Sequence, residues 1–297
     1  MKTHPLNNLS YSGLQTLHSC PRKFYLDKCS AQTNDFIDFD QSVTFAFGHA
    51  VGLGLQEYLL HASLPKALFS LFLNWEPDLL AEDVKRKKSF WEACFAVEKF
   101  AYLRNELFED YELAYYNGKP AIELSFRIAL PNGYFYRGFV DAVLVHRTTG
   151  KVIVLENKTT AAKVTDAAMY KNSFQGIGYS IVLDQIFPEL SSYQIYYLVY
   201  NTNNYEYLSL PFTKSLAERA EWLTTLWMQT QTLEMYRSTK VFPKQGASCY
   251  QYFRQCPHYT NCSFPLLAPI EEVEDNTVYD IETTFENLIQ AQQQKAY

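Results

Sequence analysis

An apolar run that ends in charged residues constrains the fold of this chain more than any other segment. Val152-Ile153-Val154-Leu155 leads directly into Glu156-Asn157-Lys158, and a short apolar run bounded by turn residues is typical of a buried strand. Residues 136–144 also alternate like a strand, and Thr148-Thr149-Gly150 lies between the two segments. The pattern predicts an antiparallel hairpin whose second strand carries charge at its end.

This hairpin predicts that acidic and basic side chains meet on one face of a sheet. Strand side chains at i and i+2 point the same way, so Glu156 and Lys158 share a face. The turn sets Asp141 opposite them, and a second turn signal at Pro131-Asn132-Gly133 places Glu123 beside Asp141. As an isolated match, the same residue types more often form a surface ion-pair cluster.

Clustered carboxylates predict a divalent cation, because like charges packed together repel unless a cation joins them. Hard oxygen ligands suit Mg²⁺ or Mn²⁺. Such a cation can polarise a phosphoryl oxygen and activate a bound water, and an ammonium can stabilise the developing charge. The cluster therefore predicts phosphodiester hydrolysis, with Glu123 as a third acid. On the next predicted helix, Gln175 and Tyr179 share a face within reach of the cluster.

Hydrophobic periodicity and turn signals divide the chain into four sections. Helical spacing dominates residues 9–108, where Ser10 is a predicted N-cap, and strand-like alternation dominates residues 111–159. We expect an α/β fold in which helices flank a central sheet. The further predicted elements are a helix over residues 84–108, a helix over 164–185, strands near 193–200 and 205–210, a helix over 213–236 and a cysteine-bearing loop over 243–265.

Net charge is distributed unevenly along the 297 residues. The formal charge is -6 at pH 7, and residues 271–297 hold seven acids against one base, which accounts for all of it. Residues 1–270 are neutral, which is compatible with a local basic groove for DNA. We expect the acidic tail to be a mobile end with a short helix over residues 281–294.

The apolar segments are short, and the first residues are polar. No run approaches about 18 consecutive apolar residues, and no signal-peptide core follows the N-terminus. We therefore expect a cytoplasmic protein with no membrane partner.

Half of the six cysteines lie in one loop that is rich in proline. These are Cys249, Cys256 and Cys262, spaced C-x6-C-x5-C. Such a loop suits metal ligation better than core packing. A fourth thiolate would complete a zinc site or an iron–sulfur cluster, and the spacing allows either Cys20 or Cys29. His258, inside the loop, is an alternative ligand for zinc.

The order of these motifs resembles one branch of a known nuclease superfamily. Gly138-Phe139-Val140-Asp141, a hairpin, Glu156-Asn157-Lys158, and then Gln175 and Tyr179 match the pattern G-x-x-D, (D/E)-x-K, Q-x-x-x-Y. Residues 9–17 followed by Cys20-Pro21-Arg22-Lys23 are similar to the opening signature of that branch. Through short motifs over residues 9–265, the chain resembles the RecB-like nucleases of the PD-(D/E)XK superfamily, including CRISPR-associated RecB-like exonucleases and phage recombination nucleases.

The resemblance implies a restriction-endonuclease-like fold, with a central mixed sheet flanked by helices. We expect one nuclease domain over residues 1–270, made of a helical N-terminal section (about 9–108), a catalytic core (about 111–236) and a C-terminal cysteine loop (243–265). The implied site residues are Asp141 and Glu156 as metal ligands, the Asn157 carbonyl as a further ligand, Lys158 as the catalytic lysine, and Gln175 and Tyr179 as residues that position the substrate or the lysine.

The resemblance also selects among the cysteines. It implies a 4Fe-4S cluster held by Cys20 together with the three loop cysteines, and zinc is the alternative.

One position departs from the family pattern. Many relatives carry a metal-binding histidine in a helix that reads F-G-x-x-x-H, but glycine, Gly52, follows Phe47-Gly48 at that place. His49 lies close to the same helical face and is a candidate substitute, or else an ordinary helical histidine.

Together these features predict an Mg²⁺- or Mn²⁺-dependent deoxyribonuclease. We expect an exonuclease that acts on DNA ends or single strands in recombination, repair or phage DNA processing. The alternative is a catalytically degenerate DNA-binding or scaffold protein with a structural metal centre, and the missing histidine is its main support.

Overall fold

The computed structural model describes residues 2–29, 39–77, 88–163, 165–190, 192–251, 254–260, 262 and 272–295. The chain divides into two compact units. Unit 1 contains residues 1–38, 125–139 and 216–297, and unit 2 contains residues 39–124 and 140–215. Within the described residues, no helix combines the length and the apolar character that crossing a membrane requires.

The helices are α1 (Tyr11–Ser19), α2 (Pro21–Cys29), α3 (Phe39–His61), α4 (Leu64–Leu73), α5 (Phe90–Leu107), α6 (Ala167–Lys171), α7 (Phe174–Val182), α8 (Leu216–Thr239) and α9 (Phe285–Lys295). The strands are β1 (Lys2–Thr3), β2 (Asn8–Leu9), β3 (Tyr111–Leu113), β4 (Tyr115–Tyr116), β5 (Lys119–Pro120), β6 (Ile122–Ala129), β7 (Phe135–His146), β8 (Val152–Thr160), β9 (Tyr193–Asn201), β10 (Glu206–Lys214), β11 (Tyr250–Gln251), β12 (Arg254–Gln255), β13 (Val273–Glu274) and β14 (Ile281–Thr284). Strands β6 and β7 contribute residues to both units.

The sheet of unit 2 is mixed. Strand β8 pairs antiparallel with β7 and parallel with β9, and β9 pairs antiparallel with β10. The β7–β8 hairpin sets Ala142 opposite Leu155, which is the register predicted from the Thr148-Thr149-Gly150 turn. The parallel β8–β9 pair needs a crossover, and helices α6 and α7 lie within it.

Helices cover both faces of this sheet. One face packs against α3, α4 and α5 in a buried cluster that includes Leu155 of β8 and Leu198 of β9. On the other face, α7 approaches β9 so closely that a Cβ added at Gly176 would lie 2.9 Å from the Tyr197 hydroxyl. The predicted fold class, an α/β fold with a central mixed sheet flanked by helices, is confirmed.

Unit 1 combines three separate chain segments. Ser10 caps α1 as predicted, because its hydroxyl accepts the backbone N–H of Gly13 at 3.2 Å. Packing explains the glycine of the motif G-x-x-D, because a Cβ at Gly138 would lie 2.9 Å from the Phe126 ring. Strand β14 pairs parallel with β6, and the Asp280 carboxylate accepts the backbone N–H of Ser125 at 2.9 Å.

The acidic C-terminal segment contains the helix that the sequence predicted. The prediction covered residues 281–294; in the structure residues 281–284 form strand β14, which was not predicted, and residues 285–295 form helix α9. The mobility of the segment stays a prediction. Ile281 and Leu288 are buried, and Glu282 points outward to pair with Arg127 at 2.7 Å. Alternating apolar residues therefore hold the segment in unit 1, whereas its acids are mostly exposed.

Other boundaries shift for local reasons. The helix predicted over residues 84–108 begins at Phe90 within the described residues, with Ser89 as its N-cap, and residues 84–87 lie outside them. The helix predicted over 164–185 divides into α6 and α7, because Ser173 caps a new helix start. Residues 252–253, 261 and 263–265 of the predicted cysteine loop also lie outside the described residues. The predicted domain boundaries stay a prediction.

Two glycines of α3 give a matched test of the packing in unit 2. A Cβ at Gly54 would lie 2.8 Å from a Val97 methyl and 3.3 Å from the Ala67 carbonyl oxygen, whereas a Cβ at Gly52 meets nothing within 4 Å. We expect Gly54→Ala to lower the free energy of unfolding by about 1–3 kcal/mol. Gly52→Ala should raise it by up to about 1 kcal/mol, because alanine is the better helix former. Urea unfolding measures both, and equal effects of the two substitutions would contradict the packing described here.

Candidate active site

Strand β8 carries a carboxylate into the interior of unit 2. Residues 152–155 are buried, residues 153–155 pair with strands on both sides, and Glu156 at their end is only 1% exposed. Lys158 Nζ donates to Glu156 Oε1 at 2.5 Å. Glu156 Oε2 is buried and has no hydrogen-bond partner in the described part of the chain. A buried carboxylate oxygen without a donor is costly, so this oxygen is available for a cation.

Two further carboxylates face Glu156. Asp141 Oδ2 accepts the backbone N–H of Asn157 at 3.0 Å. Burial raises the pKa of Asp141 well above its usual value, and the negative charge of Glu156 adds to this effect. Burial also raises the pKa of Glu123, again with a contribution from Glu156. Asp141, Glu156 and Glu123 therefore share one electrostatic environment, in which ionisation of one acid opposes ionisation of the others.

The lysine lies among these acids. Burial alone would lower the pKa of Lys158, but the carboxylates of Glu156 and Asp141 overcome that effect and raise it above the usual value. Lys158 is therefore an ammonium at neutral pH. Two tyrosines border the same position: Lys158 acts electrostatically on Tyr170 and is itself affected by Tyr197, and the two tyrosine rings lie 5.1 Å apart.

Gln175 and Tyr179 lie together on α7, as their spacing predicted. Gln175 Nε2 donates to the Tyr179 hydroxyl at 2.7 Å, and Ser173 caps the helix through the backbone N–H of Gln175. Helix α7 covers the face of the sheet to which Tyr197 belongs, through the close approach at Gly176. The role of the pair in positioning the substrate or the lysine stays a prediction.

The match to known proteins covers most of the chain. The family model of the PD-(D/E)XK nuclease superfamily matches residues 8–263. The chain belongs to the PD-(D/E)XK nuclease superfamily. This membership indicates metal-dependent nuclease activity, for which members of the superfamily generally use magnesium or manganese.

Two other comparisons add little. No curated protein matches the sequence. A solved structure titled "Crystal structure of SSO0001" is 14% identical, with 88% of this chain and 87% of that chain covered, at a TM-score of 0.35. A TM-score this low adds nothing to the family assignment.

The position of the family histidine is open space. A side chain at Gly52 would meet nothing within 4 Å. His49 is exposed, and it makes no hydrogen bond or ion pair with the described residues. Its role as a substitute ligand therefore stays a prediction, as does the role of the Asn157 carbonyl. The Asn157 side chain is distinct from that carbonyl, and its Oδ1 is buried without a hydrogen-bond partner in the described residues.

The donor types suit a hard divalent cation, because Mg²⁺ and Mn²⁺ prefer carboxylate oxygens. Asp141 and Glu123 interact electrostatically with Glu156, whose Oε2 is buried without a hydrogen-bond partner in the described residues. Among the described residues, however, no group of three Asp, Glu, His or Cys side chains is arranged to hold a metal ion. Lys158 is hydrogen-bonded to Glu156 in this arrangement.

The cysteines of the predicted second centre converge in unit 1. One cavity is lined by Cys20, which precedes α2, and by Cys249, Cys256 and Cys262 of the loop. Cys29 belongs to α2, but its side chain lies outside the described residues. Thiolates are ligands of both zinc and iron–sulfur clusters, so the identity of a metal at this cavity stays a prediction.

Protein contacts hold the cysteine loop against the first two helices. His258 is buried, and its Nε2 lies 2.6 Å from Asp27 Oδ1 of α2. Ser248 Oγ donates to the Ser19 carbonyl at 2.6 Å, and the Arg22 backbone N–H donates to the Pro243 carbonyl at 3.1 Å. With Nε2 engaged by Asp27, His258 serves as a support of the loop.

Sequence reasoning did not find three residues of the active site. Tyr197 stands opposite Glu156 in the parallel register of β8 and β9, and Tyr170 lies on the short helix α6. Gln56 of α3 donates to Glu123 at 2.8 Å. The alternation of residues 193–200 predicts a strand that contains Tyr197. It does not predict that this strand pairs with β8, which is what brings Tyr197 next to Glu156. No local pattern indicates Gln56, because 67 residues separate it from Glu123.

The raised pKa of Asp141 gives a test of the acidic cluster without metal. Because the folded-state pKa lies above the unfolded one, the folded state binds more protons between the two values. The stability of the metal-free protein should therefore fall as the pH rises above about 4. We expect Asp141→Asn to raise the Tm in EDTA at pH 7 and to lose this advantage towards pH 4.

The matched control for Asp141→Asn is Asp110→Asn, which removes the same charge from an exposed position. Thermal unfolding across the pH range compares the two variants with the wild type. If Asp141→Asn raised the Tm by the same amount at pH 4 and pH 7, the proposed cluster would be contradicted. The same holds if Asp110→Asn raised the Tm as much as Asp141→Asn does.

Proposed function

We propose that this chain is an Mg²⁺- or Mn²⁺-dependent deoxyribonuclease of the RecB-like branch, which hydrolyses phosphodiester bonds from DNA ends or in single strands. Its setting would be cytoplasmic recombination, repair or phage DNA processing. The observation that carries the proposal is the buried Glu156 oxygen without a partner, faced by two more carboxylates and an ammonium. Buried acceptors without a partner are uncommon in folded proteins, and a bound cation is one explanation for this one.

The acids would bind the cation. Asp141 and Glu156 are the principal ligands in this proposal, with Glu123 and the Asn157 carbonyl as further oxygen donors. When bound, the cation polarises the scissile phosphate and makes water a stronger nucleophile. The Asn157 backbone N–H donates to one oxygen of Asp141, and the other oxygen would bind the cation.

Lys158 would act through its charge. Its raised pKa keeps the proton on Nζ at neutral pH, so the lysine is suited to orient water or to stabilise negative charge on the phosphate, and unsuited to remove a proton. Cation binding to Glu156 would release the ammonium from its present hydrogen bond for that task. Gln175 and Tyr179 would position the substrate or the lysine.

Substitution of the lysine tests the catalytic role. We expect Lys158→Ala to lower the rate of DNA cleavage with Mn²⁺ by about a hundredfold or more, because charge stabilisation at the transition state is lost. Lys151→Ala, on the exposed turn before β8, is the matched control and should cleave like the wild type. Labelled linear, nicked and single-stranded DNA serve as substrates, and circular dichroism monitors folding.

Three results of this assay would contradict the proposal or a part of it. Wild-type protein that cleaves none of the substrates with Mg²⁺ or Mn²⁺ but binds DNA would favour the degenerate DNA-binding alternative. Full activity in a folded Lys158→Ala variant would remove the lysine from the mechanism. Cleavage of nicked circles as fast as of linear DNA would replace end-dependent action with endonuclease action.

We also propose a 4Fe-4S cluster on Cys20, Cys249, Cys256 and Cys262. The four thiols line one cavity, and thiolates select iron–sulfur clusters or zinc. Zinc is the alternative, because four thiolates suit either metal centre. The preference for the cluster rests on the resemblance of the cysteine pattern to that of RecB-like nucleases. The cluster would tie α2 to the loop and stabilise unit 1 by constraining the unfolded chain.

Anaerobic purification with metal analysis tests the second centre. We expect brown protein with roughly four iron atoms per chain, and we expect Cys256→Ser to lose most of the iron and to have a lower Tm. Cys94→Ser is the matched control, since Cys94 lies on α5 of unit 2, and it should keep the iron. Colourless wild-type protein with about one zinc per chain would establish the alternative.

A further inference from the structure

Glu123 has an unusual backbone for a strand residue. It lies in β6, yet its φ is 48°, in the left-handed region that residues other than glycine rarely adopt. Such a residue breaks the regular alternation of a strand and turns its side chain away from the position that a regular strand would give it. Strained conformations of this kind persist where the surrounding structure holds them, often at functional sites.

One side chain of α3 holds the carboxylate of Glu123. Gln56 Nε2 donates to Glu123 Oε1 at 2.8 Å, in a partly buried position. This is the hydrogen bond that Glu123 forms within the described residues, and it engages one of the two carboxylate oxygens. The second oxygen has no hydrogen-bond partner among the described residues, and the Glu123 carboxylate lies close enough to Glu156 for the two charges to interact.

The chemistry of the donor is important. A primary amide fixes the direction of a carboxylate but carries no net charge. A lysine or arginine at the same place would also donate a hydrogen bond, but its positive charge would neutralise Glu123 and repel a cation. Gln56 is thus the type of residue that orients a metal ligand without weakening it.

We propose that Gln56 is a positioning residue for the active site, which holds Glu123 in its strained conformation so that the free oxygen completes the cation site with Asp141 and Glu156. The inference rests on the proposed function, because it requires that these acids bind a divalent cation. Helix α3 would then contribute Gln56 to the active site, one helical turn after the open position at Gly52.

The test compares three substitutions at this position by their response to Mn²⁺. Gln56→Met keeps the length and removes the donor, and we expect it to raise the Mn²⁺ concentration for half-maximal cleavage about tenfold or more. The rate at saturating Mn²⁺ should stay near that of the wild type. Gln56→Lys restores a donor but adds a charge, and it should need at least as much Mn²⁺ as Gln56→Met. Gln56→Glu keeps the size without donating, and it should also need more Mn²⁺ than the wild type.

Direct Mn²⁺ titration without DNA, by calorimetry, gives a readout independent of catalysis. Glu57→Gln is the matched control, since Glu57 is the next residue of α3 and pairs with His61 on the surface, and it should bind Mn²⁺ like the wild type. In a Glu123→Gln background, Gln56→Met should have no further effect on Mn²⁺ affinity, because its effect acts through Glu123.

The outcomes separate this inference from the proposed function. Wild-type protein that neither binds Mn²⁺ nor cleaves DNA would overturn the proposed function, and the inference with it. Wild-type protein that does both, with unchanged Mn²⁺ affinity in Gln56→Met, would overturn the positioning role alone. Normal Mn²⁺ affinity in Gln56→Lys would show that only the hydrogen bond is needed and would overturn the charge argument. If Gln56→Met does not fold, Gln56→Glu and Gln56→Lys decide by the same affinity measurement.

Discussion

The burial of one carboxylate at the end of an apolar strand is the constraint on which unit 2 depends. Strand β8 lies between β7 and β9 in the sheet. Because residues 152–155 are buried there, Glu156, the next residue of the strand, is buried as well. A buried charge without compensation costs several kcal/mol. Lys158 supplies that compensation through its hydrogen bond to Glu156. In the proposed function, the same ammonium would also act on the phosphate.

Local pattern was sufficient for the features that obey regular geometry. The turn at residues 148–150 implied the pairing of β7 with β8, and therefore the meeting of Asp141 and Glu156, because register follows from turn position and strand period. The start of α1 followed from Ser10. The orientation of the Glu123 side chain could not be predicted in this way. Its left-handed φ departs from the regular strand alternation that the prediction assumed. Its contact with Gln56 depends on tertiary structure alone.

Strand β14 in the C-terminal segment could not be predicted from the sequence. A four-residue strand is too short to give a clear period, although Ile281 alternates with the buried Thr283. The acids lie mostly on the solvent side, where Glu282 pairs with Arg127.

The cysteines could be grouped by their spacing in the loop, whereas their convergence with Cys20 depends on the contacts of α2 with residues 243–258.

The three-segment construction of unit 1 determines the order in which the protein can mature. Its first helices are made early, but they meet the cysteine loop and the Ser125–Asp280 lock only after most of the chain has left the ribosome. Unit 2 ends at residue 215. The residues of the candidate active site are therefore synthesised before the other unit has all its parts. The proposed cofactor of the four cysteines would be inserted only after translation has passed residue 262, when every residue of unit 2 has already been made.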